Sequence, residues 1–403
     1  MSRRAFSASG LRRMHDVLSA HVERGDLPGM VTLLCRRGEV EVDVIGTKAL
    51  EGGEPMRRDT LFRITSMTKP VTAVATLILV EECKLRLDEP VDRWLPELAD
   101  RKVLKRIDGP LDDTVPADRP ITVRDLLTFR LGLGMIMVPS REFPIQKALD
   151  ELGIVGFGPP NPSTPHDPDE WMRRLGTLPL MHQPGERWMY NTGAYVLGVL
   201  IARAAGRSLE SFVCERIFDP LGMKDTSFSV PPAELDRLTP AYMPDPATGV
   251  LRLHDGVANS AWSRPPIFPD AGAGLVSTAD DYLAFGRMLL DKGRCGSERI
   301  LSRLAVETMT TDQLTRAQKA ASDSFGDFWT SRGWGFGVAI VTHRDDLSAV
   351  PGRFGWDGGY GTAWATDPAE DMVAILMTQR AGFPQSSPVY LDFWTTAYQA
   401  IDD

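Results

Sequence analysis

From Val71 to Val80 the chain carries no charged residue, and Val71, Val74, Ala75, Ile78 and Leu79 recur at i, i+3, i+4, i+7 and i+8. Apolar residues at helical spacing with no charge between them predict a helix enclosed on most sides, not one lying on a surface. The rest of the chain must wrap it. Pro70 has no amide hydrogen and fits only the first turn of a helix, which sets the start near Ser66. The uncharged stretch is about half a membrane span, so the helix belongs to a protein core.

The wrapping elements are readable on both sides of this helix. Leu11, Met14, Val17, Leu18 and Val22, with Arg12, Arg13, Asp16 and Glu23 among them, predict an amphipathic helix over 11–24. Val31 to Cys35 and Val40 to Ile45 read as a hairpin across Arg36-Arg37-Gly38, and Leu61 to Ile64 as a short strand. Helices follow near 122–130, 168–175, 193–205, 208–217 and 278–291, separated by proline-rich loops over 153–168 and 231–269. Long loops of this kind usually wall a cleft. Trp334 to Val341, Tyr360 to Ala365 and Met372 to Thr378 read as strands, and a last helix covers about 388–400. Strands at both ends with helices between predict an α+β fold: an antiparallel sheet built from both chain termini, flanked by helices, with an inserted and mainly helical lobe. The expected division is one unit over 1–403, with an α/β part at about 1–65 and 320–403 and a helical, loop-rich part at about 66–319.

Composition narrows the chemistry. A net charge of -9 with no basic cluster argues against nucleic acid or an anionic membrane as partner. Cys35, Cys83, Cys214 and Cys295 form no C-x-x-C pair, so buried reduced thiols are expected rather than a disulfide framework or a zinc knuckle. Arg3 and Arg4 lead into Ser7, Ser9 and Arg12 with no apolar run of signal-peptide length, which predicts a cytoplasmic protein. The six histidines show no metal-ligand spacing, and there is no phosphate loop, no dinucleotide fingerprint and no G-x-S-x-G elbow. No metal and no cofactor are expected. Gly333, Gly335 and Gly337 alternate in an aromatic strand pattern, where glycine lets another backbone approach.

The remaining candidate is Ser66-Met67-Thr68-Lys69 at the start of the enclosed helix. Residues three apart share a helical face, so the Lys69 amine reaches the Ser66 hydroxyl. Serine attacks only when a base takes its proton, and lysine is such a base only when its surroundings lower its pKa. The unpaired amide at a helix start also suits a developing oxyanion. By itself the tetrad is weak evidence, since a capping serine followed by a solvated lysine looks the same.

Its context carries more. Phe62-Arg63-Ile64-Thr65-Ser66-Met67-Thr68-Lys69-Pro70-Val71 closely resembles the active-site segment of the serine β-lactamase and penicillin-binding superfamily, class C β-lactamases and family VIII carboxylesterases above all. Gln183-Pro184-Gly185-Glu186-Arg187-Trp188-Met189-Tyr190, Asp219-Pro220-Leu221-Gly222-Met223 and Gly272-Ala273-Gly274-Leu275 are also family-like, and the likeness runs in order from about 11 to 380. It implies a β-lactamase/transpeptidase-like fold with Tyr190 as proton-transfer partner of Lys69. It further implies an oxyanion hole from the amides of Ser66 and Gly359, and substrate contacts from Trp356, Asp357, Gly358 and Asn191. The family's Y-x-N is broken here, since Thr192 follows Asn191 and either could supply the polar contact. Trp356 stands where the family often has a cation, and an indole cannot hold a carboxylate as a lysine does. The implied activity is therefore a serine carboxylesterase acting on small neutral esters through an acyl-enzyme on Ser66. β-Lactam or D-amino-acid peptide hydrolysis, acyl transfer, and a silent penicillin-recognition module are the other readings.

Overall fold

The computed structural model describes residues 4–136, 143–154, 164–322, 327–382 and 387–402. Seven strands form the main sheet: β1 (Gly29–Arg36), β2 (Glu39–Gly46), β3 (Arg332–Trp334), β4 (Ala339–Val341), β5 (Phe354–Gly358), β6 (Thr362–Asp367) and β7 (Met372–Thr378). Their order in space is β3-β4-β5-β6-β7-β1-β2, every pair antiparallel. The fold is α+β, and the sheet is built from both ends of the chain as the strand pattern predicts. Leu33 of β1 pairs with Val42 on one side and Ile375 on the other. β1 and β7 are buried along their whole length, which is why they read as mostly apolar runs with no alternation of polar residues. β2 lies at the edge and carries Glu39, Glu41 and Asp43, charges that discourage pairing with another chain.

Strand alternation divides the side chains between two layers. Met30 and Leu34 of β1 pack with α1 (Ala8–Glu23) and α5 (Pro388–Gln399), in one core with Met14, Leu18, Phe393 and Trp394. Val31, Leu33 and Cys35 face the other way, into the larger core shared with α4 (Ala279–Leu290), α2 (Thr68–Glu81) and α3 (Thr192–Ala205). Where α4 crosses the sheet, a Cβ on Gly286 would lie 2.7 Å from Trp364 Nε1 and 2.8 Å from Val373 Cγ1, so glycine sets that spacing. The enclosed helix is α2, buried from Thr68 to Leu79. At roughly 1.5–3 kcal/mol for each fully buried Val, Leu or Ile, Val71, Val74, Leu77, Ile78 and Leu79 make it a main contributor to the core. Arg36, at the end of β1, is itself buried and donates to the carbonyls of Ala5, Asp402 and Glu370, fastening both ends of the chain to the sheet.

Several boundaries differ from the sequence reading. The stretch from Trp334 to Val341 is two strands, because the chain turns back where the Gly335 N–H donates to the Val338 carbonyl. The glycines there do admit close neighbours: a Cβ on Gly335 would lie 2.1 Å from the Met309 carbonyl oxygen, and one on Gly337 2.9 Å from that of Lys69. The helix expected over 122–130 stops at Leu127, as Phe129 takes a left-handed φ of 56°. The helix expected over 208–217 is α-helical to Val213 and then widens into a π turn over Cys214–Phe218. Of the loop expected over 153–168, residues 155–163 lie outside the described residues. All four cysteines are free, but only Cys35 is buried; Cys83 and Cys214 are exposed, which corrects the expectation of buried thiols. Among the described residues no helix is long and apolar enough to cross a membrane.

Candidate active site

The segment entering α2 is held under constraint. Phe62–Arg63 pairs with Val276–Ser277, and the buried Arg63 guanidinium reaches Asp255 at 2.5 Å while stacking over Trp262. Thr65 then takes a φ of 42°, a conformation that a β-branched residue adopts only when its surroundings impose it. Such strain costs about 1–3 kcal/mol. The surroundings are tight: a Cβ on Gly358 of β5 would lie 2.3 Å from the Ile64 carbonyl oxygen and 2.7 Å from Thr65 Oγ1. Thr65–Met67 make one 3-10 turn before α2. Its first hydrogen bond runs from the Met67 N–H to the Ile64 carbonyl, so the Ser66 N–H precedes the ladder.

Ser66, Lys69 and Tyr190 come together, all three buried. Lys69 Nζ donates to Ser66 Oγ at 2.9 Å and to the Gly272 carbonyl at 2.7 Å, and sits 4.6 Å from the centre of the Tyr190 ring. The Tyr190 hydroxyl is hydrogen-bonded to Ser66 as well. Burial pushes the Lys69 ammonium well below the usual lysine range, against the opposing pull of the Asp270 carboxylate. Burial drives the Tyr190 phenol far above its ordinary value, and its hydrogen bonds with Ser66 and Trp356 recover only part of that. A hydroxyl held between an amine of lowered pKa and a protonated phenol can lose its proton on one side while a neighbouring group gains one on the other.

Trp356 is buried on β5, and its Nε1 donates to Tyr190 Oη at 2.8 Å. An indole N–H only donates, so the tyrosine oxygen accepts there and its own proton is left for the Ser66 side. Around this pair stand Trp188, stacked on Tyr190 at 5.5 Å, Trp334, edge-on to Trp356 at 4.7 Å, and Phe129. One side of the site is thus an aromatic wall.

The other sequence candidates divide. Gly358 is pressed against Ile64 and Thr65 and leads into Gly359, whose carbonyl accepts the Gly382 N–H. Asp357 does not join the cluster: alternation along β5 turns it to the opposite face, where its carboxylate accepts from the Tyr390 hydroxyl of α5 at 3.0 Å; with Arg353, Trp394 and Trp356 it lines a cavity of about 300 Å³. Asn191 has a φ of 86°, and its side-chain amide donates to the Tyr195 hydroxyl at 2.6 Å. Thr192 is buried in the first turn of α3. Tyr195, the other tyrosine near in sequence, is therefore engaged elsewhere. Sequence reasoning passed over Asp270, which accepts from the Gly272 and Ala273 amides. Its signal was present, since an aspartate two residues before a glycine commonly caps such a turn.

Comparison with known proteins agrees with this architecture. The Beta-lactamase family model matches residues 14–394. An uncharacterised Mycobacterium tuberculosis protein is 41% identical, over 89% of this chain and 87% of its own. Esterase EstB of Burkholderia gladioli is 32% identical, over 98% of this chain and 97% of its own. Among solved structures, EstCE1, described as a hydrolase with promiscuous acyltransferase activity, superposes with a TM-score of 0.79 at 25% identity, covering 97% of this chain and 99% of its own. With a family match over nearly its whole length and an esterase among its relatives, the chain belongs to the beta-lactamase family.

Proposed function

We propose that the protein is a serine carboxylesterase that works through an acyl-enzyme on Ser66. The observation that carries this reading is the placement of the Ser66 hydroxyl between the buried Lys69 amine and the Tyr190 phenol. In the first half, the neutral Lys69 amine takes the Ser66 proton while Oγ attacks the ester carbonyl carbon, and the oxygen that gains charge meets the Ser66 and Gly359 amides. Tyr190 then gives its phenolic proton to the leaving alkoxide and regains one from the Lys69 ammonium, so the alcohol departs neutral. In the second half, water gives a proton to the same pair and attacks the acyl carbon; the bond to Ser66 Oγ then breaks as the pair returns that proton to it, and the acid is released.

Trp356 supports an ester over a β-lactam. The position that would hold a substrate carboxylate in related enzymes presents an indole already donating to Tyr190, and the nearest cation in sequence, Arg353, is stacked 3.7 Å from the centre of the Trp394 ring beneath the opposite face of the sheet. The relative named an esterase points the same way. Discharge of the acyl group to an alcohol shares the first half and would be seen as a new ester.

The reading is tested with a fluorophosphonate probe, p-nitrophenyl esters of about two to twelve acyl carbons, and nitrocefin. One adduct at Ser66 is expected, with short esters turned over far faster than nitrocefin. Ser66→Ala should abolish labelling and lower turnover by several orders of magnitude. An adduct elsewhere, or nitrocefin hydrolysed as fast as the best ester, overturns it.

A further inference from the structure

Beneath Lys69 lies a buried carboxylate that the proton path above does not use. Asp270 is 2% exposed and heads a tight turn: its Oδ1 accepts the N–H groups of Gly272 at 2.7 Å and Ala273 at 2.9 Å, and its own carbonyl accepts the Gly274 N–H at 2.8 Å. The Ala273 N–H belongs to the same peptide group as the Gly272 carbonyl, which is the atom that accepts from Lys69 Nζ at 2.7 Å. One peptide therefore stands between the carboxylate and the amine, its hydrogen toward the first and its oxygen toward the second. Hydrogen bonds in such a chain polarise one another, so negative charge on Asp270 makes the Gly272 oxygen a better acceptor for an ammonium.

The turn is also fixed to the helix that carries Lys69. Thr72 Oγ1 donates to the Ala271 carbonyl at 2.7 Å, and the Leu275 N–H donates to Thr68 Oγ1 at 3.1 Å. Gly272 is closely packed: a Cβ there would lie 3.2 Å from Asp270 Oδ1, 3.2 Å from Tyr195 Cε1 and 3.4 Å from Asn191 Oδ1. Asn191 and Tyr195 thus pack against the glycine that Asp270 clasps.

We infer that Asp270 is a positioning residue that sets both the direction and the charge of Lys69 through the Gly272–Ala273 peptide. The inference deepens the proposed role of Lys69 in the proton path and rests on that reading. The titratable groups beside the amine are Tyr190 and Asp270, with the Ser66 hydroxyl in direct contact; farther along, Tyr195 interacts with Asp270 and Tyr190, and Asp357 with Tyr190. Asp270 is the carboxylate that opposes the effect of burial on Lys69, and Lys69 in turn opposes its effect on Asp270.

Asp270→Asn keeps an Oδ1 acceptor for both amides and removes the charge. In a titration followed by NMR of 13Cε-labelled lysine, the Lys69 midpoint should fall by about one pH unit or more in the variant. The limb of the pH profile for Ser66 phosphonylation that Lys69 governs should move to lower pH by the same amount, with a thermal midpoint only a few degrees down. A measurement on the wild type needs no variant: Lys69 Cε and Asp270 Cγ should each titrate in two shared steps, as a coupled pair does. An unchanged Lys69 midpoint in Asp270→Asn, or independent single-step curves in the wild type, overturns the inference. A wild type that takes no phosphonate overturns the esterase reading, and the NMR titration still decides for or against Asp270.

Discussion

Trp356 combines two properties in one side chain, a large apolar surface and a single N–H donor aimed at the tyrosine oxygen. Trp356→Phe keeps the first and removes the second. If the donor steadies the tyrosine as it gives up its proton, kcat should fall about 10- to 100-fold with little change in KM, since a hydrogen bond to a group acquiring charge contributes about 1.5–3 kcal/mol. Trp356→Lys should raise kcat/KM for anionic β-lactams relative to neutral esters, a ratio insensitive to a general loss of folded protein. The expectations for single residues were readable where they are local. Ser66, in the 3-10 turn, and Lys69, in the first turn of α2, lie three residues apart in one continuous helical segment, so spacing alone brings them together. Tyr190 lies in a distant segment, and only resemblance to a family singled it out. Asp357 was misplaced because a motif carries residue identity but not the period of two that turns neighbours on a strand to opposite faces.

At the scale of elements, α4 shows how tertiary packing overrides intrinsic preference. Alanine is a better helix former than glycine by about 1 kcal/mol, yet Gly286→Ala should destabilise the protein by about 1–3 kcal/mol, because the new methyl meets Trp364 and Val373 below contact distance. A urea midpoint lower than wild type is the expected result. The first turn of the same helix holds Asp281, whose carboxylate accepts from the Asp225 N–H and the Thr226 hydroxyl. Burial raises its pKa from 3.8 to about 6. A raised carboxylate pKa means the folded state holds the proton more tightly, so this group's contribution falls as pH rises through that window and stays low above it. Asp281→Asn should flatten the wild-type-minus-variant difference outside that window and show a change on the order of 3 kcal/mol across it, read from urea titrations between pH 3.5 and 7. Helix existence was legible from apolar spacing for α1, α2, α3 and α4. What pattern did not show was the break at Phe129, the π turn after Val213 and the fold-back within Trp334–Val341, because each is set by a neighbouring segment and not by local preference.

For the whole molecule, the sheet was legible because β1 and β7, which pair with each other, are mostly apolar and lie near opposite ends of the sequence. How those ends are fastened was not. Arg36 is buried where β1 stops, its guanidinium satisfied by three carbonyls and Glu370. Arg36→Met should leave those acceptors unpaired and cost about 3 kcal/mol, seen as a lower urea midpoint with an unchanged slope. The place of β1 in the sheet has a consequence for synthesis on the ribosome. Its partner β2 follows at once, but β7 emerges about 340 residues later. At 5–20 residues per second that is roughly 20 to 70 seconds during which one side of a mostly apolar strand has no neighbour. For that interval the nascent hairpin must be shielded, by the growing chain or by a chaperone, and overproduction at lower temperature, where encounters between nascent chains are fewer, should favour the native sheet over inclusion bodies.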